Sequence, residues 1–217
     1  MTRSDPIDPM LYLASSSPRR QELLQQMGIT FRQLQLRDAP GAAPDVDESA
    51  LPGEDPETYV QRVCLLKLRF GWSQLQTLGL PVLPVLAADT TVCLDRKIFG
   101  KPADTDDAAR MLRMLAGREH RVLTAVALRT QYGEHCALSS NRVRMADLSE
   151  SEIQTYVDSG EPMGKAGGYG IQGRAAGFIV ELQGSYSGVM GLPLYETMQL
   201  LRHLRKQEHS PNGVTND

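Results

Sequence analysis

Leu11-Tyr-Leu-Ala-Ser-Ser-Ser-Pro-Arg-Arg-Gln-Glu-Leu-Leu24 compresses a strand, a small-residue turn and the start of a helix into one stretch. Leu11, Tyr12 and Leu13 are an apolar run suited to a buried strand, and Ser15, Ser16 and Ser17 can cap a helix that begins after them. Pro18 fits the first helical position, where a missing N–H costs nothing. Arg19 and Arg20 then fall in the first turn, at the helix end that already carries partial positive charge. Cations belong by preference at the other end. Two arginines here make sense where they and the free N–H groups face an anion together, a phosphate or a carboxylate. On this stretch alone, a capped helix with two solvated arginines is an equal reading.

Outward from that turn, the helix continues through Met27 with Leu23 and Leu24 inward, and Gly28 is placed to end it. Phe31 to Leu36 is a second strand. Arg37 to Pro56, rich in Pro, Gly, Ala and Asp, is a loop. Within it, Asp45-Val-Asp-Glu-Ser49 sets three carboxylates close together, either as a solvated acidic loop or as ligands for a divalent cation. Asp55 or Thr58 opens a helix through Gln74, in which Lys67 lies amid Leu65, Leu66 and Leu68. Its stem is expected to be partly covered while its ammonium reaches a partner, and a snorkelling surface lysine is the default alternative. Pro81 to Ala88 is almost wholly apolar, as a central strand is, and ends in Asp89-Thr-Thr91. A carboxylate at the carboxyl end of a buried strand points to a site, because a buried Asp must be paired, hydrogen-bonded or metal-bound. Val92 to Phe99 forms a hairpin across Asp95-Arg96-Lys97 and returns Gly100-Lys101-Pro102 toward Asp89.

Further along, Thr105 or Asp106 opens a helix with an apolar face, closed by Gly117. His120 to Leu128 and Leu138 to Met145 are partner strands, the second with Asn141, Arg142 and Arg144 on an exposed face. Ser149-Glu-Ser-Glu152 starts a helix by the capping-box pattern, ending near Gly160. Lys165-Ala-Gly-Gly-Tyr-Gly-Ile-Gln-Gly173 is rich in glycine, which lets backbone approach a ligand closely. Its Tyr169 and Gln172 offer a stacking ring and a side-chain amide, the groups that base recognition uses. Phe178 to Leu182 is a strand, Gly184 to Val189 a turn and loop, and Gly191-Leu-Pro193 introduces a final helix to about Lys206. Residues 1–10 read as a flexible terminus and 207–217 as a disordered tail around one domain, 11–206.

At 217 residues the chain is long enough to bury a real core, and 41% apolar with 23% charged residues is ordinary for a globular protein. A net charge of −3 gives no general attraction to nucleic acid or anionic membrane, so any anion must be met by a local cluster. Cys64, Cys93 and Cys136 are scattered, which indicates neither a disulfide framework nor a zinc site and fits a reducing cytoplasm. The four histidines show no paired ligand spacing and are read as structural or surface residues. Neither a signal peptide nor an apolar run of spanning length is evident.

Taken in order, Ala14-Ser-Ser-Ser-Pro-Arg-Arg20, Ala88-Asp-Thr90, Gly100-Lys-Pro102, the glycine run 165–173 and Gly191-Leu-Pro193 resemble the motifs of the Maf family of nucleoside triphosphate pyrophosphatases. The likeness runs from about Leu11 to about Leu204. The form of the glycine run is similar to that of the branch acting on dTTP and UTP. Gly164 stands where Asp is common in the family, and the loop before Asp45 is longer than usual. The resemblance implies an elongated α/β fold with a mixed sheet, of Maf/ITPase type, with two lobes around a central cleft. It implies hydrolysis between the α- and β-phosphates, with a divalent cation, Mg²⁺ or Mn²⁺, in a cytoplasmic homodimer. The catalytic aspartate falls on Asp89, the specificity positions on Arg19, Thr90 and Gln172, and the phosphate or metal contacts on Ser15, Arg20, Glu48, Lys67 and Lys101. Glu48 and Asp89 are then the metal ligands, and the other four bind phosphate. The alternative implied by the family's link with septum formation is a nucleotide-binding regulator of cell division with little turnover.

Overall fold

The computed structural model describes residues 11–34 and 46–208. The terminus 1–10, Asp45 with the lengthened loop before it, and the tail from 209 onward lie outside the described residues. Strand β1 (Leu11–Ala14) is buried throughout and leads into helix α1 (Pro18–Gln26), which buries Leu23 and Leu24. Ser17 stands at the cap of α1, but its side chain makes no capping bond. Its N–H donates to Ser15 Oγ at 3.2 Å instead, so the serine run is organised around Ser15. Beyond α1, Gly28 takes the left-handed φ of +68° that the reversal requires.

Strand β2 (Phe31–Leu34) lies parallel to β1. Helix α2 (Pro56–Thr77) is capped by Asp55, whose carboxylate accepts from the Glu57 N–H, and buries Val60, Val63, Cys64, Lys67 and Leu68. Strands β3 (Val85–Leu94) and β4 (Lys97–Phe99) form the expected hairpin, with Asp95 at φ +58° in the turn. Helix α3 (Thr105–Leu115) is capped one residue earlier than expected, by Asp104 accepting from the Asp107 N–H. Strands β5 (Glu119–Thr130) and β6 (Gly133–Met145) are the long antiparallel pair, and the capping box of Ser149 and Glu152 opens helix α4 (Glu150–Asp158). Strand β7 (Ile179–Gln183) follows the glycine run. A short helix, α5 (Tyr186–Met190), replaces the expected loop because Ser185 caps it by accepting from the Gly188 N–H. Helix α6 (Leu194–Glu208) closes the described chain.

These strands make one mixed sheet in the order β2-β1-β3-β5-β6-β7, with β4 also on β3. Three apolar clusters flank it. One lies between α2 and the sheet, a second on the opposite face under α1 and α6, and a third at the far end among β3, β4, α3 and α4. The long strands pass from the first two clusters into the third, which matches the expected elongation.

Two further expectations change. Asp89 does not end a strand: β3 runs on to Leu94 because β5 pairs with it from Val85 to Cys93. Asn141 is not exposed beside Arg142 and Arg144. The strand period of two turns it inward with Ser139 and Val143, where its Oδ1 accepts from the Ser185 N–H at 2.6 Å.

Candidate active site

The neighbours of β3 create the opening. On one side β5 is continuous. On the other, the parallel β1 ladder stops at Leu13↔Leu86, and the antiparallel β4 ladder starts at Val92↔Phe99. Near this change of partner, Asp89 to Val92 of β3 line a cleft of about 520 Å³. Alternation along the strand sends Asp89 toward α2 and Thr90 toward the opposite face, so the cleft has access to both faces of the sheet. Ser15, Arg19, Arg20, Glu48, Lys67, Asp89, Thr90, Lys101 and Gln172, drawn from six separate stretches of chain, all line it.

On the α2 face, the Lys67 ammonium bridges two carboxylates, at 2.6 Å from Asp89 Oδ1 and 2.8 Å from Glu48 Oε1. Lys67 is 8% and Asp89 5% exposed. The ammonium of Lys67 therefore does reach partners, inward at the two acids, and the default reading of a surface lysine is set aside. Tyr59, two turns earlier on α2, donates its hydroxyl to the Glu48 backbone carbonyl at 2.9 Å and so ties the acidic loop to the helix. Burial, with the charges of Asp89 and Glu48, pushes that phenol up to about 12.

On the other face, Arg20 spans the opening. Its Nε donates to the Gly191 carbonyl at 2.8 Å, Nη1 to Ser15 Oγ at 3.0 Å and Nη2 to Thr90 Oγ1 at 3.3 Å. Burial lowers its pKa, and Asp89 opposes that effect. Gly191, at φ +115°, lets its backbone come this close to Arg20 and Thr90. Ser15 Oγ receives N–H groups from both Arg20 and Ser17, which leaves its own proton to face the cleft as a donor.

Residues 10–204 match the family described as Maf-like protein. The chain belongs to the Maf family. Among curated Maf relatives, the dTTP/UTP pyrophosphatase of Ralstonia nicotianae is 56% identical over 194 residues, covering 89% of this chain and 93% of that protein. The dTTP/UTP pyrophosphatases of Cupriavidus pinatubonensis and Nitrosomonas europaea are each 53% identical, covering 90% of this chain and 96% and 95% of theirs.

The lining of this Maf cleft is rich in basic side chains: Arg19, Arg20, Lys67, Lys101 and Lys165 stand against Glu48 and Asp89, in a chain of net charge −3. The glycine run packs them closely. A Cβ on Gly170 would meet Lys165 Cδ and Cε at 2.9 Å and Arg19 Nη1 at 3.1 Å. Burial lowers both Arg19 and Lys165, the latter also because Arg19 is near. Gly164 has φ +72°, a left-handed conformation that glycine adopts without strain.

Several residues that organise the site were not singled out in the sequence. Glu161 gathers the glycine run: its carboxylate accepts from Tyr156 Oη and the Arg174 N–H at 3.0 Å each, and its carbonyl accepts from Lys165 Nζ. Tyr169 was expected as a ring for a base to stack on. It turns into the core instead, packs edge-on to His120 and shares a 2.6 Å hydrogen bond with Nε2 of that imidazole. Burial pushes His120 down to about 4, so the pair is neutral at physiological pH. A histidine at the start of a strand carried no sign of this, since its partner lies 49 residues on.

Proposed function

We propose that this Maf protein hydrolyses dTTP and UTP to the nucleoside monophosphate and pyrophosphate, and so keeps non-standard pyrimidine nucleotides out of nucleic acid. The observation that carries the reading is the division of the cleft by β3. An acid pair held by one ammonium lies on one side, Asp89 and Glu48 on Lys67, and a donor cradle of Ser15 and Arg20 lies on the other. A triphosphate spans both. In this reading Ser15, Arg20, Lys67 and Lys101 bind phosphate oxygens, where charge spreads as Pα is attacked. Asp89 takes the proton of the attacking water, the Pα–O–Pβ bond breaks, and pyrophosphate leaves. Arg19, Thr90 and Gln172 face the rest of the nucleotide, and the Gln172 amide offers both donor and acceptor to the imide edge of uracil or thymine.

The described residues contain no cluster of three or more Asp, Glu, His or Cys side chains able to enclose a metal ion. Two carboxylates within reach of one cation fit Mg²⁺ or Mn²⁺ in the manner usual for these ions, with phosphate oxygens and water completing the shell. Glu48 and Asp89 would hold it, and when bound it supplies charge neutralisation and a more acidic water. No described helix is long and apolar enough to cross a membrane. Action on free nucleotides in the cytoplasm belongs to the same reading. Assembly as a homodimer belongs to the same reading and is measured by light scattering.

The test is pyrophosphate release from dTTP, UTP, CTP, dCTP, GTP and 7-methyl-GTP, with Mg²⁺ or Mn²⁺ and with chelator. Metal-dependent release confined mainly to dTTP and UTP is expected. Binding without release from any of them would instead favour a regulator of cell division with little turnover, a reading that the names of the relatives disfavour.

A further inference from the structure

Thr124, on β5, is fully buried and directly opposite Thr90 on β3. Its Oγ1 lies 2.7 Å from the Gly188 carbonyl oxygen and 3.0 Å from Thr90 Oγ1. A carbonyl cannot donate, so the Thr124 proton lies on the bond to Gly188. The contact between the two hydroxyls then has one filling: Thr90 donates and Thr124 accepts. Arg20 Nη2 already donates to Thr90 Oγ1. With its proton committed inward and one lone pair taken, Thr90 has only a lone pair to show the cleft.

We propose that Thr124 is a positioning residue for substrate choice, which fixes Thr90 as a hydrogen-bond acceptor, so that this point of the cleft takes a substrate N–H and rejects a substrate lone pair. This rests on the pyrimidine nucleotide reading above. A phosphate oxygen offers only lone pairs and gains no hydrogen bond from the Thr90 hydroxyl. The adjoining wall of Val189, Met190 and Ile171 is apolar and suits a base. At ring position 3, uracil and thymine carry N–H, whereas cytosine carries a bare nitrogen lone pair. Ser15, on the other side of Arg20, has the opposite polarity and offers a proton, as an anion needs. One arginine thus separates a hydroxyl that donates from a hydroxyl that accepts.

The experiment compares kcat/KM for UTP and CTP in wild type, Thr124→Val and Thr124→Ser. Valine keeps the volume and removes the acceptor, which frees the Thr90 proton to turn toward the cleft, while Gly188 O keeps its bond from the Gly191 N–H. The UTP/CTP ratio is expected to fall at least tenfold in Thr124→Val and to stay within threefold of wild type in Thr124→Ser. An unchanged ratio overturns the proposal, and so does an equal loss on both substrates, which a sugar contact or a purely structural role would give. Thr90→Val supplies an independent reading on an unaltered β5: UTP turnover is expected to fall at least tenfold further than CTP turnover, and equal losses count against the proposal. Failure of wild type to turn over UTP at all would sink the substrate reading instead, before any variant is compared.

Discussion

Lys67 Nζ and Asp89 Oδ1 lie 2.6 Å apart with both side chains buried, and Glu48 completes the cluster at 2.8 Å from the same ammonium. One cation therefore holds two acids in a small volume, and removing it leaves both acids without that counter-charge.

Asp89→Asn keeps the shape and an acceptor for Lys67 but removes the base. Turnover of UTP is expected to fall by about a thousandfold or more while nucleotide affinity changes less than tenfold. Single-turnover kinetics alongside equilibrium binding separate the two. Loss of affinity with the chemical step intact would reassign Asp89 to binding.

Lys67→Met leaves Asp89 buried without its cation. A destabilisation of about 3 kcal/mol is expected in urea unfolding, as for breaking a buried pair from one side. The double variant Lys67→Met with Asp89→Asn is expected to recover part of it. No recovery would mean that Lys67 acts by packing alone.

His120, pushed down to about 4 by burial, binds a proton more readily in the unfolded chain, where its pKa is about 6.5. The unfolded state thus holds more protons between these values, so stability rises with pH across that window. The contribution is fully present above about 6.5 and is lost as pH falls toward 4, by up to about 3 kcal/mol. Comparing wild type with His120→Gln over pH 6.5 to 4 isolates it from the carboxylates. Parallel curves for the two proteins would show that the imidazole is not titrating there.

Gly167 has φ +70°, and a Cβ there would come within 2.8 Å of Val92 Cγ2. Gly167→Ala combines a left-handed non-glycine residue with overpacking and is expected to cost about 2–4 kcal/mol. Because the Gly167 N–H donates to the Gly100 carbonyl, next to Lys101, KM for UTP is expected to rise as well. Thermal unfolding and steady-state kinetics on one preparation test both.

Gln172→Glu replaces an amide donor with a carboxylate at the cleft. Turnover of dTTP and UTP is expected to drop more than tenfold further than that of CTP, since the imide edge loses a matched partner. Equal losses across the nucleotide panel would remove Gln172 from base recognition.

The parts of this fold that a single sequence reveals are those fixed by local chemistry. Pro18 after three serines, Asp55 before Pro56, and Ser149 with Glu152 each mark a helix start within a few residues, and the structure places helices there. Lys67 was visible because a charge among leucines must lead somewhere. Asp89 drew notice for an incorrect reason: it is not a strand terminus but the middle of β3, exposed to ligand because the neighbouring strand changes from β1 to β4. That change is a property of pairing, and no window of sequence contains it. The same holds for Thr124, which meets Thr90 across 34 residues through the β3–β5 register. Tyr169 was misread because an aromatic ring among glycines carries the same signature whether it faces a base or a buried imidazole.

The β1–β3 ladder consists of Tyr12↔Val85 and Leu13↔Leu86, whereas β3 and β5 remain paired from Val85 to Cys93. The corner formed by β2, β1 and α1, which carries Ser15, Arg19 and Arg20, is therefore joined to the rest of the sheet by a short seam, with Arg20 as its stitch to Thr90 and Gly191. Far fewer backbone pairs cross that seam than join β3 to β5. In the proposed complex an anion gripped from both sides adds a second stitch, so the nucleotide would itself be a structural member that stiffens the corner holding it.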